Sequence, residues 1–277
     1  MLFGIPKSDR AKLSVLGIRW DGSSSYRRGS SRAPSRIRDA TSEEIYNSFS
    51  EDLVNLAEEW SYSDLGDVEG RDFWEVVGGV RERISASYMG QRFLFLGGDH
   101  SITYAAFRGL MEVSGERFGL IYFDAHPDCY ESYDGDRYSH ACTVRRLVEE
   151  GYVRGEDVVL AGIRAATKQQ ISFAEEAGIK IFRVDDLDEI GGIGLDKAYI
   201  SFDIDVLDPA FAPGSSNPEP GGLSTRELIR AIRKLDLDLV AFDIVEVNPD
   251  FDCSGVTCFA AAKIIREVLG RFARVLS

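Results

Sequence analysis

Acids and imidazoles gather at four points of this 277-residue chain, each directly after a short apolar run. Gly97-Gly98-Asp99-His100-Ser101 follows residues 93–96, and Asp124-Ala125-His126-Pro127-Asp128 follows 118–123. Asp203-Ile204-Asp205-Val206-Leu207-Asp208-Pro209 follows 198–202, and Asp243-Ile244-Val245-Glu246-Val247-Asn248-Pro249 follows 239–242. Taken singly, an aspartate after a strand is ordinarily a helix N-cap, a role that suits Asp99. An isolated histidine is ordinarily a surface or core residue. Jointly they are harder to dismiss, because two of the chain's three histidines fall in these clusters. Asp124, His126 and Asp128 alternate on an extended segment, as do Asp203 and Asp205, so each set points to one side. Carboxylates crowded together raise one another's pKa and destabilise the fold unless a cation neutralises them. A metal centre is the economical expectation.

His100, Asp124, His126, Asp128, Asp203 and Asp205 make four carboxylates and two imidazoles, more than the four donors of a tetrahedral zinc site. Carboxylate-rich sites favour Mn2+ or Mg2+, and imidazole shifts the choice towards transition metals. The expectation is two Mn2+ ions, about 3.5–4 Å apart as in two-metal hydrolases. Four aspartates balance the charge of two divalent ions and leave room for a bound hydroxide, a nucleophile available near neutral pH.

Such motifs need a scaffold that brings them to one rim. Apolar runs at 13–18, 93–96, 118–123, 158–160, 180–182, 198–202 and 239–244 read as buried strands. Amphipathic stretches at 35–46, 73–88, 102–111, 143–150, 169–177, 225–234 and 257–269 read as helices. Their alternation argues for βαβ units, a mostly parallel sheet and a single α/β domain over 1–277. In such sheets ligands bind beyond the carboxyl ends of the strands, where the four clusters fall. Two stretches break the rhythm. Residues 51–72 hold eight acids and one base, Arg71, and read as a solvated face. Residues 208–222 carry four of the eight prolines, and a loop that long and stiff suggests the lining of a site.

Lys and Arg number 32 against 46 Asp and Glu, a net charge of −14. That argues against a nucleic-acid binder, which needs a basic footprint, and suits a cationic small molecule. No run approaches the roughly 18 apolar residues of a membrane span. Residues 1–10 include Lys7, Asp9 and Arg10 where a signal peptide needs an apolar stretch. Cys129, Cys142, Cys253 and Cys258 show no C-x-x-C spacing. The expectation is reduced thiols in a cytoplasmic enzyme, with Cys129 and Cys142 as small packing residues.

Gly-Gly-Asp-His-Ser at 97–101, Asp-Ala-His-x-Asp at 124–128 and Ser-Phe-Asp-x-Asp-x-x-Asp-Pro at 201–209 resemble, in this order and spacing, the ureohydrolases, the family of arginase and agmatinase. The likeness runs from Trp20-Asp21-Gly22 and Arg28-Gly29 through Ile37-Arg38 and Gly162-Ile163-Arg164 to Glu246-Val247-Asn248-Pro249. It implies a three-layer α/β/α fold on a central, mostly parallel eight-stranded sheet, a binuclear manganese centre, and a homo-oligomer, trimer or hexamer. By matching position, His100, Asp124, Asp128 and Asp203 would hold one Mn2+. Asp124, His126, Asp203 and Asp205 would hold the other, with Asp124 and Asp203 bridging. His140, in Tyr138-Ser139-His140-Ala141-Cys142-Thr143, matches the family's proton-shuttling histidine. Glu246 matches the acid that pairs with the substrate guanidinium. Departures surround the pocket: Val206 replaces a common Gly, Ala141-Cys142 a common Gly-Thr, Ser215-Ser216-Asn217 a Thr-Gly-Thr, and Ser31-Arg32-Ala33-Pro34 an Arg-x-Gly-Pro pattern.

The chemistry so implied is attack of a metal-bridging hydroxide on a guanidinium carbon, with Glu246 orienting the cation and His140 protonating the departing amine. The products are urea and an amine. Agmatine is the expected substrate. Where arginases hold donors for the substrate α-carboxylate, this chain has Tyr130 and Asp136-Arg137-Tyr138-Ser139. Asp134 and Asp136 would repel a carboxylate if they face the pocket. Arg137 is the counter-argument, since it can grip a carboxylate and favour arginine or guanidinobutyrate. Two other classes compete. A two-metal phosphoesterase generally uses more imidazoles than three histidines supply, and a single-zinc deacetylase-like hydrolase would leave His100 and Asp205 surplus. Arg164 reads as a structural tie at a strand end, through an ion pair or an oligomer contact.

Overall fold

The structure, a computed structural model, describes residues 2–273; residues 1 and 274–277 lie outside the described part. Its strands are β1 Leu13–Ile18, β2 Tyr62–Val68, β3 Arg92–Leu96, β4 Gly119–Phe123, β5 Val158–Ile163, β6 Lys180–Arg183, β7 Lys197–Asp203 and β8 Asp238–Val245. They form one eight-stranded sheet in the order β2-β1-β3-β8-β7-β4-β5-β6, parallel throughout. The helices are α1 Ala33–Ala40, α2 Leu56–Glu59, α3 Phe73–Ser87, α4 Ser101–Ser114, α5 Thr143–Glu149, α6 Lys168–Ala177, α7 Thr225–Lys234 and α8 Val256–Phe272. None of the described helices is long and apolar enough to cross a membrane.

Every residue of β1, β3, β4 and β5 is buried, which a parallel sheet covered on both faces requires. The two-residue period of a strand then feeds two cores. Phe93 and Phe95 pack with Val80 of α3, Phe107 of α4, Leu147 of α5 and Ala174 of α6. Leu94 and Leu96 pack with Ile37 of α1, Ile232 of α7 and Ile265 of α8. The result is the expected three-layer α/β/α arrangement. Local signals mark several helix ends. Helices α6 and α7 each begin in a reciprocal cap, Thr167 with Gln170 and Ser224 with Glu227, and α4 stops at Gly115 in the left-handed region.

Two expectations need correction. The acidic stretch 51–72 is not only a solvated face, because it contains edge strand β2. Its central residues alternate between half-buried and exposed. Its acids Asp64 and Asp67 are held by Arg38 of α1, at 2.9 and 2.6 Å. Helix α1 ends at Ala40, where the periodicity suggested continuation to 46. There the N-terminal segment takes over the backbone, with Phe3 N donating to Thr41 O at 2.8 Å and Leu2 bridging to Ser42.

The site owes its existence to strand order. Strands β3, β8, β7 and β4 stand side by side, and they are the four strands that end in acids and histidines. Phe123 pairs with Phe202, which levels Asp124 with Asp203, and Asp203 pairs with Val245, which sets Glu246 one residue beyond.

Candidate metal centre and substrate cavity

Beyond the carboxyl ends of these strands, His100 lies fully buried with its Nδ1 3.0 Å from Asp124 Oδ2, 3.1 Å from Asp203 Oδ2 and 3.5 Å from Asp128 Oδ2. A second group forms beside it: His126 Nδ1 is 3.0 Å from Asp205 Oδ2 and 3.4 Å from Asp124 Oδ1. Asp124 thus offers one oxygen to each group. All six residues named from the sequence come together, and two sets, His100 with Asp124 and Asp128 and His126 with Asp124 and Asp205, each bring their donor atoms within 4.8 Å of one another.

Backbone geometry aims these carboxylates. Asp124 Oδ1 accepts the His126 N–H at 2.6 Å, and Asp203 Oδ1 accepts the Asp205 N–H at 2.7 Å. These are two equivalent Asx turns that leave each Oδ2 facing the cluster. Asp205 Oδ1 accepts from Ala125 N, and Tyr122 OH donates to Asp128 Oδ2 at 2.6 Å. Asp128 and Glu246 both sit at positive φ, 48° and 59°. Strain of this kind costs about 1–3 kcal/mol and persists where the surroundings impose it.

A hydrogen-bonded file orients His100 from behind. Its Nε2 lies 2.8 Å from Ser201 Oγ, and Ser201 Oγ donates to Asp243 Oδ1 at 2.7 Å. Asp243 Oδ2 takes the hydroxyls of Tyr199 and Thr103 at 2.6 and 2.7 Å. With the serine proton committed to a carboxylate, the Ser201 oxygen accepts from His100 Nε2–H. Nδ1 is left to face the aspartates. Neither Nδ1 nor Asp124 Oδ2 finds a hydrogen-bond partner, although both are buried.

That pairing of orphaned donor atoms fits a cation. Burial alone disfavours a charged imidazole, yet the surrounding aspartates raise the pKa of His100 and of His126 above the ordinary histidine value. Burial and mutual repulsion likewise push Asp128 up to about 7 and raise Asp203 and Asp205. Among the four aspartates Asp124 alone is lowered: burial opposes its charge, but the imidazoles of His100 and His126 beside it outweigh that. A cluster that draws protons this strongly has the charge and the donor set for divalent ions.

A cavity of about 160 Å³ opens onto the cluster. Glu246 and His140 form one wall. Glu246 Oε1 accepts from His100 N at 2.9 Å and sits 3.1 Å from His140 Nδ1, while its Oε2 has no partner. Burial opposes the Glu246 charge, but His140 and the backbone N–H of His100 hold its pKa below the usual glutamate value. Burial also opposes the His140 charge, and Glu246, Asp99 and Asp128 overcome it, raising that pKa to about 9. Tyr130, Tyr133, Gln170, Asn217 and Ser25 also line the cavity; of these the sequence points to Tyr130 alone, and to Asn217 only as a departure from the family pattern. Asn217 arrives because the proline-rich loop does line the site: Ser215 bridges to Val247, and Ser216 N donates to Glu246 O at 3.2 Å.

Other sequence readings resolve here. Asp134 and Asp136 are exposed on a turn and are not part of the cavity wall. Arg137 is turned away to Glu149, 3.4 Å distant. Arg164 forms a carbonyl clamp, with Nη2 donating to Asp205 O and Glu219 O, each at 2.6 Å. The burial of Cys129 and Cys142 keeps both thiols protonated, Cys142 pushed up to about 12, which suits packing residues. Asp99 takes Ser101 N at 3.1 Å in a cap-like bond and Ser23 N at 2.9 Å.

Comparison with known proteins points the same way. The model of the arginase family matches residues 11–270. Arginase 1, mitochondrial, of Arabidopsis thaliana is 34% identical over 283 residues, 96% of this chain and 82% of that protein. Guanidinopropionase of Pseudomonas aeruginosa is 34% identical over 291 residues, 95% of this chain and 87% of that one. The crystal structure of agmatine ureohydrolase of Thermoplasma volcanium superposes with a TM-score of 0.87 at 32% identity, covering 98% of this chain and 93% of that one. An all-parallel eight-stranded sheet, the Asp and His cluster at its rim and a match over nearly the whole length agree: this chain belongs to the arginase family of ureohydrolases.

Proposed function

We propose that this chain is an agmatinase-like amidinohydrolase that cleaves the guanidinium group of agmatine to urea and putrescine. His100, Asp124, Asp128 and Asp203 would hold one Mn2+, and Asp124, His126, Asp203 and Asp205 the other. Two such ions, when bound, supply Lewis acidity and make water a nucleophile near neutral pH. Glu246 receives the substrate: it lines the cavity with one buried carboxylate oxygen, Oε2, left without a partner, and accepts a guanidinium N–H in a charge-assisted bond. His140, tied through Nδ1 to the other oxygen of Glu246, is the acid that protonates the departing amine.

The observation that carries the choice of agmatine is the makeup of the cavity wall. Among the described residues it holds neither Lys nor Arg, so a substrate carboxylate would find no lysine or arginine to pair with. A second cation is accommodated by the rings of Tyr130 and Tyr133, whose centroids lie 5.5 Å apart. A guanidino acid is the second reading, since the neutral donors Gln170 and Asn217 can bind a carboxylate, and the relatives include an arginase and a guanidinopropionase. The test is urea release under one Mn2+ loading with agmatine, arginine, guanidinobutyrate and guanidinopropionate. Agmatine should give the highest kcat/KM; a ratio below one against arginine would overturn the choice of substrate. The same reading takes the chain as one domain acting in the cytoplasm as a trimer or hexamer, which light scattering after gel filtration checks.

A further inference from the structure

Two serines of one loop grip His140. Ser23 Oγ accepts its backbone N–H at 3.0 Å, and Ser25 Oγ lies 3.1 Å from its ring Nε2. The loop is pinned on both sides of these residues. Asp99 Oδ2 takes Ser23 N and Oγ at 2.9 and 2.8 Å, and Asp21 Oδ2 takes Gly29 N at 2.7 Å. Asn248 Nδ2 donates to the carbonyls of Arg27 and Arg28. Ser25 is therefore held against the ring, at the exposed mouth of the cavity.

Hydrogen-bond bookkeeping gives that hydroxyl a direction. Nδ1 of His140 faces the Glu246 carboxylate, which only accepts, so Nδ1 keeps its proton whether the ring is charged or neutral. The transferable proton is the one on Nε2, and its partner is Ser25. Asn217 Nδ2 donates to the same Ser25 oxygen at 3.2 Å. A hydroxyl has two acceptor lone pairs and one hydrogen. With the ring charged, Nε2–H and the Asn217 amide fill both lone pairs, and the serine hydrogen must turn elsewhere, into the cavity mouth. With the ring neutral, the serine donates to bare Nε2. Ser25 thus reverses direction with the charge on His140.

We propose that Ser25 is a catalytic proton relay between His140 and the leaving nitrogen of the substrate, a proposal that rests on the reading of His140 as the acid. In one concerted shift the Nε2–H bond breaks and its proton joins Ser25 Oγ. The original Ser25 proton passes to the amine nitrogen, and the C–N bond to the guanidinium carbon breaks with its electron pair going to that nitrogen. His140 is left neutral, no oxidant or reductant is needed, and the exposed hydroxyl returns a proton from solvent for the next turnover.

The experiment compares Mn2+-loaded wild type, Ser25→Ala, Ser25→Thr, His140→Ala and the double alanine variant in agmatine hydrolysis, with manganese content measured for each. Ser25→Ala should keep its manganese and a KM within about twofold while kcat falls by about 10- to 100-fold, less than a full general acid supplies because water can stand in. Ser25→Thr retains a hydroxyl and should recover kcat to within about threefold of wild type. The double variant should be no slower than His140→Ala, because serial members of one relay are not additive. An unimpaired Ser25→Ala, a Thr variant as slow as Ala, or additive losses would each overturn the relay alone. A wild type that releases no urea from any of the four guanidino compounds would overturn the proposed reaction and the relay with it.

Discussion

Asp124 is the residue whose two oxygens serve both halves of the cluster, 3.0 Å from His100 Nδ1 and 3.4 Å from His126 Nδ1. Asp124→Ala should therefore remove both ions, since neither site keeps its shared carboxylate. Elemental analysis after desalting checks this, and a variant that retains two tightly bound manganese ions refutes the sharing. Ser201 acts one step further out. Among the described residues it alone bridges Asp243 and the ring of His100, and such outer partners typically contribute 10- to 100-fold in metal affinity. Ser201→Ala should weaken manganese binding by about that factor in competition with a chelator. Unchanged affinity would show that Tyr122, stacked on the His100 ring at 4.1 Å, orients it unaided.

At the scale of elements, the loop after β7 is rigid because Arg164, just past the end of β5, forks into it. One guanidinium nitrogen serves Asp205 O and Glu219 O, which joins a proposed metal ligand to the loop that supplies Asn217. Arg164→Ala strands two carbonyls and should cost about 1–3 kcal/mol. At this size each kcal/mol lowers Tm by about 2–4 °C, which calorimetry can read. Arg164→Lys should recover little, because the second nitrogen, Nη1, also reaches the carbonyls of Gly162 and Val206 at 3.4 Å and an ammonium lacks that planar fork. An unchanged Tm in Arg164→Ala would mean that the prolines alone stiffen the loop.

For the molecule as a whole, the segment between α1 and α2 is fastened to α7 and α8 through one carboxylate. Glu51 meets Arg226 at 3.0 Å, Lys263 at 2.8 Å and Arg233 at 3.3 Å. The hydrogen bond from Arg226, then that from Lys263, lowers its pKa to about 2. A depressed folded-state pKa contributes stability that is fully present above the unfolded value, near 4.5, and is lost as pH falls towards 2. Glu51→Gln should thus melt below wild type near neutrality, with the gap closing between about pH 4.5 and 2. Ions lost on acidification leave both proteins alike, so the difference isolates Glu51. A gap that stayed constant with pH would mean that the segment is held by packing.

The sequence by itself marked the residues of the Asp and His cluster, seven of the eight strands and most helix spans, because these are written in short-range patterns. Asp124, His126 and Asp128, or Asp203 and Asp205, lie two apart just past strand ends, so their chemistry is legible in the spacing, but their direction is not: the expected extended segments are turned by Asx bonds, by the helical turn Ile204–Val206 and by Asp128 at positive φ. Strand β2 escaped because an edge strand buried only at its two ends carries no apolar run, and its acids make sense only beside Arg38. Everything that depends on pairing across the fold was decided by tertiary structure. The order β3-β8-β7-β4 places strands side by side that are far apart in the chain. Ser201 reaches His100 across 101 residues, and Ser25 reaches His140 across 115. The direction of Arg137, away from the cavity and onto Glu149, belongs with these. Such contacts are selected by the register of a buried sheet and by the need to satisfy every polar group enclosed there, and no local spacing encodes them.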